Sequence, residues 1–166
     1  MPYLLENFIT KDACPSDSAA IRKLAIDARI DAWSEADYSD EMSRPDSFVL
    51  TSTDSGVLAG FVVARIVPGT TEENPDADLY NIAVDPAVKR QGIGTKLLVG
   101  LLERLAIRGV RNVWLEVRES NYEAISFYER HGFTGEVTRP NFYVNPADNA
   151  VIMRLRTTSE QDVSEA

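Results

Sequence analysis

The sequence predicts an α/β (α+β) domain, a mixed central sheet covered by helices. Two observations carry that expectation. Short apolar runs bounded by turn residues alternate with stretches of helical periodicity. Their order is helix, helix, hairpin, strand, glycine loop, helix, strand, helix, strand, strand, which a mixed sheet covered by helices accommodates. At 166 residues the chain is long enough for one domain with a substantial core and short for two. A single domain over residues 1–156 is expected, followed by a polar acidic tail, 157–166, with nothing to bury.

Residues 3–9 read as a first strand. Pro15-Ser16-Asp17 opens a helix with Ile21, Leu24, Ala25 and Ala28 at helical spacing, ending near Asp31. Ser34 can cap a second helix, with Asp37 three residues on completing a capping box, and Arg44-Pro45 ends it. Residues 47–52 and 57–67 are two strands joined across Thr53-Asp54-Ser55-Gly56, a hairpin turn by composition. Residues 68–77, acidic and with two prolines, read as a solvated connecting loop without core residues. An apolar run, 79–84, is a buried strand stopped by Asp85-Pro86. The helix beyond the glycines places Leu97, Leu98, Leu101, Leu102 and Leu105 on its apolar positions, and Arg108-Gly109 closes it. In the strand 112–117 the side chains alternate, so Glu116 shares a face with Trp114 while Val113, Leu115 and Val117 share the other. Ser120 and Glu123 form a capping box for a helix over about 121–130, with Ala124, Ile125 and Tyr128 on one stripe. Gly132 ends it, Phe133 starts a strand, and 151–155 is the last strand.

Composition narrows the class. No apolar run approaches the roughly 20 residues a membrane helix needs, and the first residues lack a basic region followed by an apolar core, so the protein is expected in the cytoplasm with no membrane partner. One cysteine, Cys14, excludes an internal disulfide, and no metal site is visible. The one histidine, His131, stands before Gly132, where it suits a helix C-terminus better than a catalytic base. A formal charge of −9 argues against nucleic acid as a partner and suits a basic peptide.

The stretch 79–98 organises the chain. Strand, basic loop and helix follow one another, with Lys89, Arg90 and Lys96 around Gly92 and Gly94. Glycines before a first helical turn let backbone N–H groups approach an anion, which the helix start also favours, so the unit reads as a pyrophosphate cradle. A glycine turn that only connects strand to helix remains the alternative. Neither a P-loop nor a Rossmann fingerprint fits the spacing.

Lys89-Arg90-Gln91-Gly92-Ile93-Gly94 resembles the [QR]xxGx[GA] signature of the GNAT superfamily of acyl-CoA-dependent N-acetyltransferases, with Lys89 where Gln or Arg is usual. Leu115-Glu116-Val117-Arg118-Glu119-Ser120-Asn121, Phe127-Tyr128-Glu129-Arg130-His131-Gly132-Phe133, Asn141-Phe142-Tyr143 and the Trp33-Ser34 pair resemble the ribosomal-protein alanine N-acetyltransferases, the RimI group. The resemblance implies the GNAT fold, in which the strands flanking the cofactor helix splay apart beside the pantetheine arm. It implies acetyl-CoA as co-substrate and a protein N-terminal peptide, of ribosomal origin, as partner. Carried onto this sequence, backbone groups of Ile82, Ala83 and Val84 take the pantetheine and oxyanion, and Lys89, Arg90, Gln91, Gly92, Ile93, Gly94 and Thr95 hold the pyrophosphate. Asn121 is a third cofactor contact, or else the helix cap.

Acetyl transfer to an amine needs a neutral amine and a proton for the departing thiolate. An α-amine is about 2.5 pKa units, or about 3.4 kcal/mol, easier to deprotonate than a lysine, so a modest base suffices. Glu116 is the candidate base, because a carboxylate on a mostly apolar strand is a stronger base than a hydrated one. Tyr128 is the candidate proton donor; reference values put the transfer from a phenol to a thiolate at about 2 kcal/mol. Trp33, Tyr80, Phe142 and Tyr143 are candidates for the peptide groove, or ordinary packing. Two other readings stay open: acetylation of a small amine such as a polyamine or aminoglycoside, and a catalytically silent acyl-CoA-binding module.

Overall fold

The computed structural model describes residues 7–30, 33–71 and 73–157. Seven strands form one mixed sheet in the order β1-β2-β3-β4-β5-β7-β6: β1 (Phe8–Asp12), β2 (Ser47–Asp54), β3 (Val57–Thr71), β4 (Asn74–Val84), β5 (Asn112–Arg118), β6 (Thr134–Val144) and β7 (Ala147–Arg156). Among the described residues four α-helices accompany it: α1 (Ser18–Asp27), α2 (Glu35–Met42), α3 (Ile93–Ile107) and α4 (Tyr122–Arg130). Among the described residues no helix is long and apolar enough to cross a membrane. The chain divides into two compact units, one of residues 1–66 and 79–105 and one of residues 67–78 and 106–166.

In the first unit, α1 buries Ile21, Leu24 and Ala25, one helical stripe. The α2 cap is the expected one: Ser34 Oγ accepts from the Asp37 amide at 3.1 Å. The β2–β3 hairpin closes through Ser55 and Gly56, with φ of 51° and 81°, the left-handed pair that a two-residue hairpin turn requires. Helix α3 buries Ile93, Leu97, Leu98, Leu101 and Leu105, each worth roughly 1.5–3 kcal/mol; Leu102 is only half-buried. The helix lies close on its strands because Gly60 has no side chain. A Cβ there would stand 3.0 Å from both the Ala83 carbonyl and Leu97 Cδ1.

In the second unit the solvated loop expected over residues 68–77 does not exist. β3 continues to Thr71 and β4 begins at Asn74, so the segment is mostly a hairpin, with Asp76 and Ala77 buried. Its polar composition concealed this because Asp76 finds donors inside: the Asn112 amide and the Trp114 indole N–H, each at 2.9 Å. β4 pairs with β5 in parallel at Ala77↔Val113 and Asp78↔Trp114, and β7 lies antiparallel between β5 and β6.

Two further expectations change. Helix α4 is capped by Asn121, whose Oδ1 accepts from the Ala124 amide at 3.1 Å, and not by Ser120, whose hydroxyl donates to Asp148. Among the described residues the first strand runs past Ile9, over Phe8–Asp12. Residues 3–6, Asp31 and the tail beyond Thr157 lie outside the described residues. His131 does occupy the helix end, with Nδ1 2.7 Å from the Phe127 carbonyl and Gly132 following at a φ of 92°.

Candidate active site

In the first unit the loop from Lys89 to Gly92 leads from a short 3-10 turn, Pro86–Val88, into α3. Arg90 and Gly92 both take positive φ, 62° and 81°, and Lys89, Arg90 and Gly92 are exposed. Gly92 cannot cap the helix with a side chain. Ile93 turns inward and is fully buried, whereas Gln91 and Gly94 are half-buried and Thr95 is exposed. Exposed guanidinium and ammonium groups beside a bare, left-handed glycine at the start of a 15-residue helix fit a diphosphate. The Lys96 ammonium donates to the Phe8 carbonyl. Ile82 and Val84 are half-buried on β4, and the Ala83 side chain is in the core.

Trp33 and Tyr80 come together, with ring centroids 5.6 Å apart, and Trp33 stacks on Tyr38 at 5.3 Å. Sequence reasoning missed Tyr38. It is fully buried, donates to Asn81 Oδ1 at 3.0 Å and meets Phe61 edge-on, so it anchors the Trp33 segment to β4. Burial raises its hydroxyl pKa. Beside it Glu41 and Arg65 form a bidentate pair that Ser47 joins at 2.6 Å. Burial alone would push the Glu41 carboxyl up. The bonds from Arg65 and Ser47 outweigh it and hold the group below the usual carboxylate range, and the same pairing raises Arg65. Trp33, Asp37, Asp40, Glu41, Arg44 and Arg65 line an open cavity of about 380 Å³.

The second unit carries the other candidates. Glu116 projects from β5 on the face of Trp114, as the alternation requires, but it is not desolvated. Its side chain is 40% exposed, and Arg139 of β6 donates to Oε1 at 3.3 Å. The strand is apolar on its other face only, so neighbours in sequence overstated the burial. Tyr128 is buried, its ring against Phe133 at 5.4 Å and Phe127 at 5.5 Å. That burial, and secondarily the charge of Tyr143, pushes the hydroxyl well above the ordinary phenol value, so it holds its proton through the physiological range and the transfer is costlier than reference values suggest. Asn121 spends Oδ1 on the cap, leaving Nδ2 as the atom for a ligand. Tyr143 lies under the Arg118 guanidinium at 4.0 Å and edge-on to Phe142. Among the described residues no group of three or more His, Cys, Asp or Glu side chains could hold a metal ion.

Residues 18–133 match the acetyltransferase (GNAT) family. The match takes in the glycine loop, Glu116 and Tyr128, and the chain belongs to this family. It is an N-acetyltransferase whose acetyl donor is acetyl-CoA. Over 126 residues the chain is 40% identical to the ribosomal protein bS18-alanine N-acetyltransferase of Escherichia coli strain K12, covering 74% of this chain and 80% of that one. The crystal structure of the ribosomal-protein-S18-alanine N-acetyltransferase from Escherichia coli superposes with a TM-score of 0.79 at 32% identity, over 92% of this chain and 97% of the other. Ard1 from Thermoplasma volcanium superposes equally well, at 0.79 and 25% identity, over 92% and 99% of the two chains.

Proposed function

We propose that this protein acetylates the N-terminal α-amine of a protein in the cytoplasm, the acceptor being a ribosomal protein that begins with alanine. The 40% identity to a bS18-alanine N-acetyltransferase carries this reading of the acceptor. Acetyl-CoA supplies an acetyl thioester already activated for attack by an amine. The backbone of Gly92 to Thr95, with Lys89, Arg90 and Gln91, holds its pyrophosphate, backbone groups of Ile82, Ala83 and Val84 hold the pantetheine, and Asn121 Nδ2 adds a contact. On the acceptor side, Trp33, Tyr80 and Tyr143 contact the peptide.

Glu116 takes the proton that the α-amine loses, directly or through one water. A modest base is enough for an α-amine, whose proton is about 2.5 pKa units easier to remove than that of a lysine. Tyr128 Oη keeps its proton until a departing thiolate needs it. The test is incubation with acetyl-CoA and a peptide that starts with the acceptor's alanine, followed by mass spectrometry. A single acetyl on the α-amine is expected, with none when that amine is blocked. Acetylation confined to lysine, or none, would reject the acceptor.

One observation favours a second reading. Asp37 and Asp40 open into the cavity beside Trp33, which suits a cationic small amine. A polyamine and aminoglycoside panel separates the two readings. Turnover of a free polyamine exceeding that of the peptide would select the second.

A further inference from the structure

Two arginines stand on the Glu116 face of the sheet. Arg118 is its neighbour two residues along β5, on the same face, and Arg139 stands across β7, where Ala150 pairs with both arginines. Arg118 is committed elsewhere: it donates to the Pro146 carbonyl at 2.9 Å and covers the Tyr143 ring. Arg139 is the one that turns to Glu116. It is the last residue of β6 in regular register before the strand departs between Arg139 and Tyr143, where Asn141 takes a φ of 55°. The ladder therefore fixes the Arg139 backbone, and the Phe142 ring lies 5.9 Å from its guanidinium.

This pair does little for the fold. Its two side chains are 55% and 40% exposed and meet through one 3.3 Å contact, the kind of surface bridge that contributes least to stability. It does limit Glu116. A glutamate has three rotatable bonds, and an exposed one samples several rotamers unless something fixes it.

We infer that Arg139 is a positioning residue for acetyl transfer: it anchors Glu116 Oε1 so that Oε2 is presented to the α-amine. The inference rests on Glu116 being the base. The proton passes from the amine nitrogen to Oε2, and Arg139 neither gives nor takes one, because a guanidinium stays charged throughout. Without Arg139 the carboxylate remains accessible but leaves its productive orientation, which costs rate and not affinity.

The experiment is a double-mutant cycle on steady-state kinetics with acetyl-CoA and the alanine peptide. Arg139→Ala should lower kcat by roughly tenfold with both KM values within about threefold and the thermal midpoint unchanged. Arg139→Lys, which keeps a donor within reach, should recover most of the loss. In a Glu116→Gln background the Arg139→Ala change should have no further effect, because no base remains to be oriented. Unchanged kcat in Arg139→Ala, a loss seen only in peptide KM, or the same tenfold loss in the Glu116→Gln background each overturns the inference. Failure of the underlying reading looks different: Glu116→Gln alone would then turn over normally.

Discussion

Asp76 and Glu116 are two carboxylates among the strands of the second unit, and their surroundings are opposite. Asp76 is 2% exposed and accepts from Asn112, Trp114 and the Thr70 amide. Glu116 is 40% exposed and holds a single 3.3 Å contact with Arg139. A buried carboxylate survives only when donors pair its oxygens, and burial keeps those oxygens from any substrate. An exposed one with an oxygen left over can exchange protons. The sequence makes Asp76 look solvated and Glu116 look buried, and both impressions invert once the cross-strand partners are known.

Four substitutions press on that contrast. Glu116→Gln should lower turnover by about 10²–10⁴-fold, with the thermal midpoint and cofactor affinity nearly kept; normal turnover would remove it as the base. Tyr128→Phe should cost about 10²-fold in kcat, because a buried hydroxyl that keeps its proton is lost while the ring's packing stays. Unaltered kcat would reduce Tyr128 to a core aromatic. Asp76→Ala should do the reverse of Glu116→Gln. It strands the Asn112 and Trp114 donors, destabilising the protein by about 2–4 kcal/mol in denaturant unfolding, and a loss below 1 kcal/mol would break the comparison.

The smallest effect belongs to Glu41, the buried carboxylate of the first unit, which resembles Asp76. Its folded pKa is depressed, so the stability it contributes is present above the unfolded value of about 4.3 and is lost as pH falls through the lower folded one. Glu41→Gln should flatten the acid limb of a stability–pH curve below the unfolded value of about 4.3. An unchanged limb would show that Arg65 and Ser47 do not hold the ionised form.

Much of this molecule is legible locally. The α1 stripe, the Ser34 cap, the Ser55-Gly56 turn, the α3 leucines and the end of α4 at Gly132 depend on residues within a few positions of one another. The glycine loop and its basic flank are local in the same sense, which is why an anion cradle is legible from the chain alone, acetyl-CoA being what the resemblance to the GNAT signature implies. The 68–77 segment, the choice of Asn121 over Ser120 as the α4 cap and the surroundings of Glu116 were not. Each turns on a partner far away in the chain: Asn112 and Trp114 for Asp76, Asp148 for Ser120, Arg139 for Glu116.

The sequence by itself therefore determined the order of elements, their apolar faces and the presence of an anion-receptive glycine turn, because periodicity, caps and turn geometry are short-range. Only the tertiary structure decided which polar side chains are sealed and which remain open. Desolvation and hydrogen-bond saturation are set by what packs across a strand, and a linear chain does not display that.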